Sequence, residues 1–230
     1  MDALLKQVLD ANGGLDHLRS LSTLRATITY GGPFWAAKGH PDLVGADDTE
    51  ADLRRPRLTR RQRSTGRSTT WDGSLAAFEG LEHPRASFAG FGVETPWNLA
   101  QILYFRSYAT WHYLVEPELF SWPGVEAREA EPWTEGGETW RVLAVTYPES
   151  IAVHSRTQRY YYDDKSHLRR LDYAPEVNGD VPVAHYIRAD ERINGVLVPT
   201  SRHIHLRNPD GSADLSWTPI TVDLHDIVIA

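Results

Sequence analysis

The 230 residues of this chain include 8 Trp, 10 Tyr and 10 His but no Cys, and carry a formal net charge of −7. A chain of that length suits one domain that buries a sizeable core unaided, and the missing thiols exclude disulfides, thiolate nucleophiles, Cys-based zinc sites and iron–sulfur clusters. The acidic balance disfavours nucleic acid and anionic lipid as partners.

In MDALLKQVLDANGG, Ala3, Leu4, Leu5, Val8 and Leu9 fall at helical spacing, and Gly13 and Gly14 stop the helix. A second short helix is expected over residues 15–20. No basic, apolar and small-residue signal pattern opens the chain, and no run approaches 18 apolar residues. The expectation is a soluble, cytoplasmic protein without a membrane span. TLRATITYG, residues 23–31, alternates Leu24, Ala26, Ile28 and Tyr30 as a first strand. GGPFWAAKGHPD, residues 31–42, is read as a loop carrying Phe34 and Trp35. The acidic run ADDTEAD, residues 46–52, precedes DLRRPRLTRRQR, residues 52–63. With no aromatic residues interleaved for base stacking, the arginines read as a solvated strand face beside solvated carboxylates. WDG, residues 71–73, has the look of a hairpin turn.

Residues 95–114, TPWNLAQILYFRSYATWHYL, form the best helix in the chain. Thr95 is placed to cap it, with Pro96 at its first position. Trp97, Tyr104, Tyr108 and Trp111 share one stripe, and Leu99, Ile102, Leu103 and Phe105 add further apolar surface, so the helix is expected to be buried on more than one side. From residue 121 onwards only strands and turns appear. Strands are expected over 124–130, 139–147, 152–163, 167–174, 182–191, 196–206 and 219–229. EGGE, DDKSH, EVNGD, RING and NPDG mark the turns. Short, regular hairpins imply one antiparallel meander, 121–230, joined to the helices of 1–20 and 95–114 in a single domain spanning residues 1–230.

The order helix, GG-L-x-x-L, then L-x-T-L-R-A-T-I-T, with the hairpin YYYDDKSHLRRLDY, resembles the lipoprotein-localisation-factor (LolA/LolB-like) superfamily. The lack of an export signal would make this a cytosolic branch. The resemblance implies an α+β fold: an incomplete antiparallel barrel of about 9–11 strands, with N-terminal helices and a buried plug helix, whose concave face holds a hydrophobic guest. It implies no catalytic signature.

In TQRYYY, residues 157–162, one face carries Thr157, Arg159 and Tyr161 and the other Gln158, Tyr160 and Tyr162. Polar residues on both faces imply water on one side and a partly polar pocket on the other. Phe34, Trp35, Trp97, Tyr104, Tyr108, Trp111 and Tyr173 are the candidate pocket lining. His154, His185, Asp172 and Tyr161 sit on consecutive strands and are the candidates for acid–base chemistry: the histidines as base or acid, Asp172 orienting one of them, Tyr161 donating. His203 and His205, two residues apart on one strand, could ligate a metal with His185, but the motif is loose, and no metal or organic cofactor is assigned.

G-x-G-x-x-G, the phosphate-cradling loop and the G-x-S-x-G elbow are all missing. Two functions follow. The number of His, Tyr and Asp on the late strands favours a cofactor-independent enzyme moving protons on a small hydrophobic metabolite, as an isomerase, cyclase, lyase or hydrolase. The alternative is a non-catalytic carrier or sensor of a lipid or other hydrophobic molecule. A homodimer stays open.

Overall fold

The computed structural model describes residues 1–73, 78 and 81–230. Among them, alternation sets twelve strands into one antiparallel sheet: β1 (Thr23–Gly31), β2 (Gly45–Asp52), β3 (Arg57–Gln62), β4 (Ser68–Trp71), β5 (Glu126–Glu135), β6 (Glu138–Thr146), β7 (Thr157–Tyr162), β8 (Leu168–Tyr173), β9 (Val183–Ile193), β10 (Val196–Arg207), β11 (Ala213–Asp214) and β12 (Ile220–Ile229). Their order is β4-β3-β2-β1-β12-β10-β9-β8-β7-β6-β5, with the short β11 beside β10. The end strands β4 and β5 do not pair, so the sheet stays open. This is the incomplete barrel that the resemblance implies.

The register fixes which residues look inward. Leu143, Tyr160, Leu171, His185 and Ile204 form one cross-sheet row and belong to, or face, the concave core. Val142, Tyr161, Arg170, Tyr186 and His203 form the next row and point outward. The two-sided polarity of residues 157–162 is thereby explained. Gln158, Tyr160 and Tyr162 look into the core, whereas Thr157 and Arg159 meet water. Tyr161 also points outward yet is buried, because Trp133, Trp140, Val142, Ala184 and Tyr186 make a second, smaller cluster on the convex side.

The plug is α4 (Leu99–Val115), buried along nearly its whole length. Its start differs from the expectation. Asn98, not Thr95, is the cap: its side chain accepts from Gln101 N while the Gln101 side chain accepts from Asn98 N, both at 2.9 Å. This reciprocal box satisfies two end groups at once and overrides Thr95-Pro96. The chain's first helix, α1 (Ala3–Ala11), is capped by Asp2 and buries Leu4, Leu5, Val8 and Leu9; α2 (Leu15–Ser20) follows. Phe34 and Trp35 sit on a short helix, α3 (Phe34–Ala37), rather than on an open loop.

Three further expectations change. ADDTEAD is the strand β2, and its Asp47 is buried rather than solvated. Burial there is possible because α4 sends Arg106 to meet it: Nη2 lies 2.8 Å from Asp47 Oδ2, and Arg106 also donates to Leu43 O at 2.8 Å and stacks on Tyr30. Arg60 leaves the otherwise solvated arginine face to approach the same carboxylate at 3.6 Å. The strand expected from 152 begins only at Thr157. WDG begins on the last residue of the strand β4, which among the described residues pairs with β3 alone; residues 74–77, 79 and 80, into which the expected hairpin would run, lie outside the described residues.

Candidate functional site

A chamber of about 150 Å³ opens at one end of the half-barrel. Its walls come from several parts of the chain. Phe34, Ala37 and Lys38 belong to α3 and its C-terminus, and Val93 and Glu94 to the segment before α4. Phe105 projects from α4, and Tyr173, Val183, Ile204 and Leu206 from β8, β9 and β10. Pro175, Asn178 and Val181, with Trp217, Pro219 and Ile220, complete the wall. The alternation of β9 and β10 is what aims Val183, Ile204 and Leu206 inward. Val93 and Trp217, each more than 40% exposed, form the rim. The wall is overwhelmingly aliphatic and aromatic, as small-molecule pockets are.

Phe105, Tyr173, Ile204 and Ile220 also border a deeper void of about 30 Å³ that reaches Tyr30, Trp35, Arg106, Thr110 and Tyr113. Beyond it lies a sealed polar network. Tyr113 Oη bonds His154 Nε2 at 2.7 Å and Tyr173 Oη at 2.8 Å. Tyr108 Oη bonds His154 Nδ1 at 3.2 Å, and Tyr173 Oη bonds His185 Nδ1 at 3.3 Å. Burial pushes both imidazoles well below the ordinary histidine range, so both are neutral at pH 7. Burial likewise lifts the Tyr108 and Tyr113 phenols well above theirs. Further along, Glu116 accepts from Tyr160 Oη at 3.0 Å and lies 3.5 Å from His112. Burial raises Glu116 to about 7 and lowers His112 to about 3.

The four residues nominated for proton transfer do not converge. His154 and His185 face the core, whereas Tyr161 and Asp172 face outward. There Tyr161 Oη donates to Asp172 at 2.8 Å, and Arg170 holds the same carboxylate through two bonds of 2.6 and 2.9 Å. The cause is register: Asp172 pairs with Ala184, and His185 with Leu171. A one-residue offset sends neighbours to opposite faces. Neither histidine lines the chamber. Of the expected pocket residues, Phe34 and Tyr173 line it and Trp35 lines the deeper void. Trp97, Tyr104, Tyr108 and Trp111 are core. Trp111, for instance, packs on Trp71 and Trp122 and donates to Asp52 O. His203 and His205 share the outer face, opposite His185, and among the described residues no three His, Cys, Asp or Glu are grouped to hold a metal ion.

No family model matches this chain, and no curated protein does. It is similar in fold to solved structures. A DUF1329 family protein from Desulfovibrio piger is 10% identical with a TM-score of 0.45, over 99% of this chain and 93% of that one. A LolA superfamily protein from Nitrosomonas europaea is 10% identical with a TM-score of 0.44, over 96% and 90%. An outer-membrane lipoprotein-sorting protein domain from Vibrio parahaemolyticus is 4% identical with a TM-score of 0.38, over 95% and 93%. At such identities the likeness is one of fold alone.

The expectation of a proton-transfer enzyme is overturned. The nominated quartet is split between two faces of the sheet, and neither of its histidines lines the chamber, so the four groups cannot act together on one guest. The sequence reading missed Lys38, Ile204, Ile220 and Trp217 in the wall. Ile204 was legible as the middle of HIH, on the face opposite the two histidines, and Ile220 as the start of the expected strand 219–229; Lys38 and Trp217 lie in segments without period. Among the described residues no helix is long and apolar enough to cross a membrane.

Proposed function

We propose that this chain is a non-catalytic carrier or sensor that encloses an apolar small molecule in the chamber beside Phe34 and Ile204. One observation carries this reading: apart from Lys38, Glu94 and Asn178 the chamber wall is aliphatic and aromatic, and the histidine–tyrosine network lies behind it. A catalytic wall would present a converging acid and base to the guest, whereas a carrier's wall has only to exclude water and match shape.

The test is saturable binding of N-phenyl-1-naphthylamine, followed by its fluorescence, to the wild type and to Ile204→Trp. The larger indole fills the chamber from its β10 wall. The expected result is saturable binding by the wild type and a loss of about tenfold or more in the variant, at an unchanged far-UV spectrum. Equal binding by both proteins would reject the chamber as the site.

A further inference from the structure

One side chain in the chamber wall bears on the chemistry of the guest. Lys38 is 1% exposed, yet it lines a largely apolar chamber. Its ammonium donates to Val93 O at 2.6 Å and, over longer distances, to Thr95 O at 3.2 Å and Gly92 O at 3.3 Å. It also sits 4.6 Å from the centroid of the Trp97 ring. Carbonyl dipoles and a ring face solvate a cation, but they do not cancel its charge. Glu94 is the carboxylate whose field reaches Lys38. It lies on the same wall but is exposed, and it makes no ion pair with Lys38 among the described residues.

The rest of the interior leans the same way. Arg60, Arg106 and Arg202 are buried on the concave side with Lys38, and the carboxylates buried there are Asp47 and Glu116. Among the described residues Arg202 hydrogen-bonds no carboxylate: it donates to Tyr113 O, its Nη1 has no partner, and only the field of Glu116 offsets its charge. An acidic chain of net charge −7 thus keeps an excess of cations inside. Burying uncompensated charge is expensive, and a guest that brings an anion lowers that cost.

We infer that the chamber takes an apolar molecule ending in a carboxylate, with the anionic end set against Lys38. The inference rests on the carrier reading above and names the class of its ligand. The two longer bonds, to Gly92 and Thr95, are the ones an incoming carboxylate displaces; the Val93 bond keeps the ammonium in the wall.

The experiment is displacement of N-phenyl-1-naphthylamine from the full chain at pH 7 by decanoate, decan-1-ol and decylamine. They share one apolar chain and differ only at the end group. Decanoate is expected to displace the probe at about tenfold lower concentration than decanol, with decylamine weaker still. Lys38→Met, which keeps length and removes charge, is expected to bring decanoate and decanol to within about twofold of one another, while Lys38→Arg keeps the preference. Equal displacement by decanoate and decanol in the wild type, or a preference that survives in Lys38→Met, overturns the inference and leaves the carrier reading standing. If the wild type binds neither probe nor competitor, the carrier reading falls and the inference with it. The wild-type comparison needs no variant, so a misfolded Lys38→Met does not rescue the idea.

Discussion

His154 and Tyr173 lie ring on ring, 4.3 Å apart between centroids and 7° from parallel, at the boundary between the chamber and the polar network behind it. Tyr173 is therefore two things: its ring is chamber wall, and its hydroxyl ties Tyr113 to His185. The substitution Tyr173→Phe separates them. It keeps the wall and the stacking but leaves Tyr113 and His185 each short of a buried partner. We expect a loss of about 1–3 kcal/mol in urea unfolding, with probe binding unchanged within about twofold. A loss of binding larger than the loss of stability would show that the hydroxyl itself contacts the guest.

Asp47 is the one carboxylate shared by Arg106 and Arg60, and all three side chains are at most 3% exposed. Removing it with Asp47→Ala strands two buried guanidinium groups. The expected cost is about 3–5 kcal/mol, read from the urea midpoint. Its neighbour Asp48 forms a surface pair with Arg63, half exposed on both sides, so Asp48→Ala should cost less than about 1 kcal/mol. Comparable effects at the two positions would remove the distinction between buried and solvated strand faces drawn here.

The same pair of aspartates shows what the sequence could and could not reveal. ADDTEAD is acidic at a glance, but only the pairing of β2 with β1 and β3 turns Asp47 inward, and only Arg106, 59 residues away, makes that tolerable. The helices, the plug and the meander were legible because period and turn residues are local signals. The open barrel followed from their order. The candidate site was less legible, because it depends on which face of each strand looks inward. Asp172 and His185 look like partners in sequence, yet one residue of register parts them. Lys38 gave no signal at all: the carbonyls that bury it lie 54 to 57 residues further along the chain.

Arg170 organises the convex cluster. It is fully buried, grips Asp172 through two bonds, pairs with Glu135 at 2.6 Å and donates to Gly211 O at 2.6 Å. Gly211 lies so close to the Trp133 ring that an added Cβ would sit 2.7 Å from it. The guanidinium thus fastens the turn after β10 onto the outer face of β5. With Arg170→Met, amide exchange at residues 208–214 should accelerate, and global stability should fall by about 3–5 kcal/mol as the buried Asp172 loses its paired guanidinium and keeps only the Tyr161 hydroxyl and the more distant Arg207. Unchanged exchange in that turn would mean that Trp133 packing holds it without the arginine.

The concave core makes stability depend on pH, and the signs can be worked out group by group. His112 is lowered to about 3 and His154 and His185 well below their ordinary value, in each case chiefly by burial. Below about pH 6.5 the unfolded chain binds protons at these histidines that the folded chain refuses, down to about pH 3 in the case of His112. Their contribution is therefore complete above the unfolded value and is lost as pH falls through that window. Glu116, raised to about 7 by burial, acts in the opposite sense. Between about pH 4.5 and 7 the folded chain holds a proton that the unfolded chain releases, so acidification through that window stabilises. Each group changes stability by at most about 1.4 kcal/mol per pH unit. Three histidines against one glutamate leave a net loss of at most about 3 kcal/mol per unit as pH falls from 6.5 towards 5. Urea midpoints at pH 7, 6 and 5 should fall accordingly. In Glu116→Gln, which lacks the opposing group, the fall should be steeper by about 1.4 kcal/mol per unit. A wild-type midpoint that holds steady from pH 6.5 to 5 would mean that the histidines take up protons in the folded state, and that the network behind the chamber floor is open to water rather than sealed.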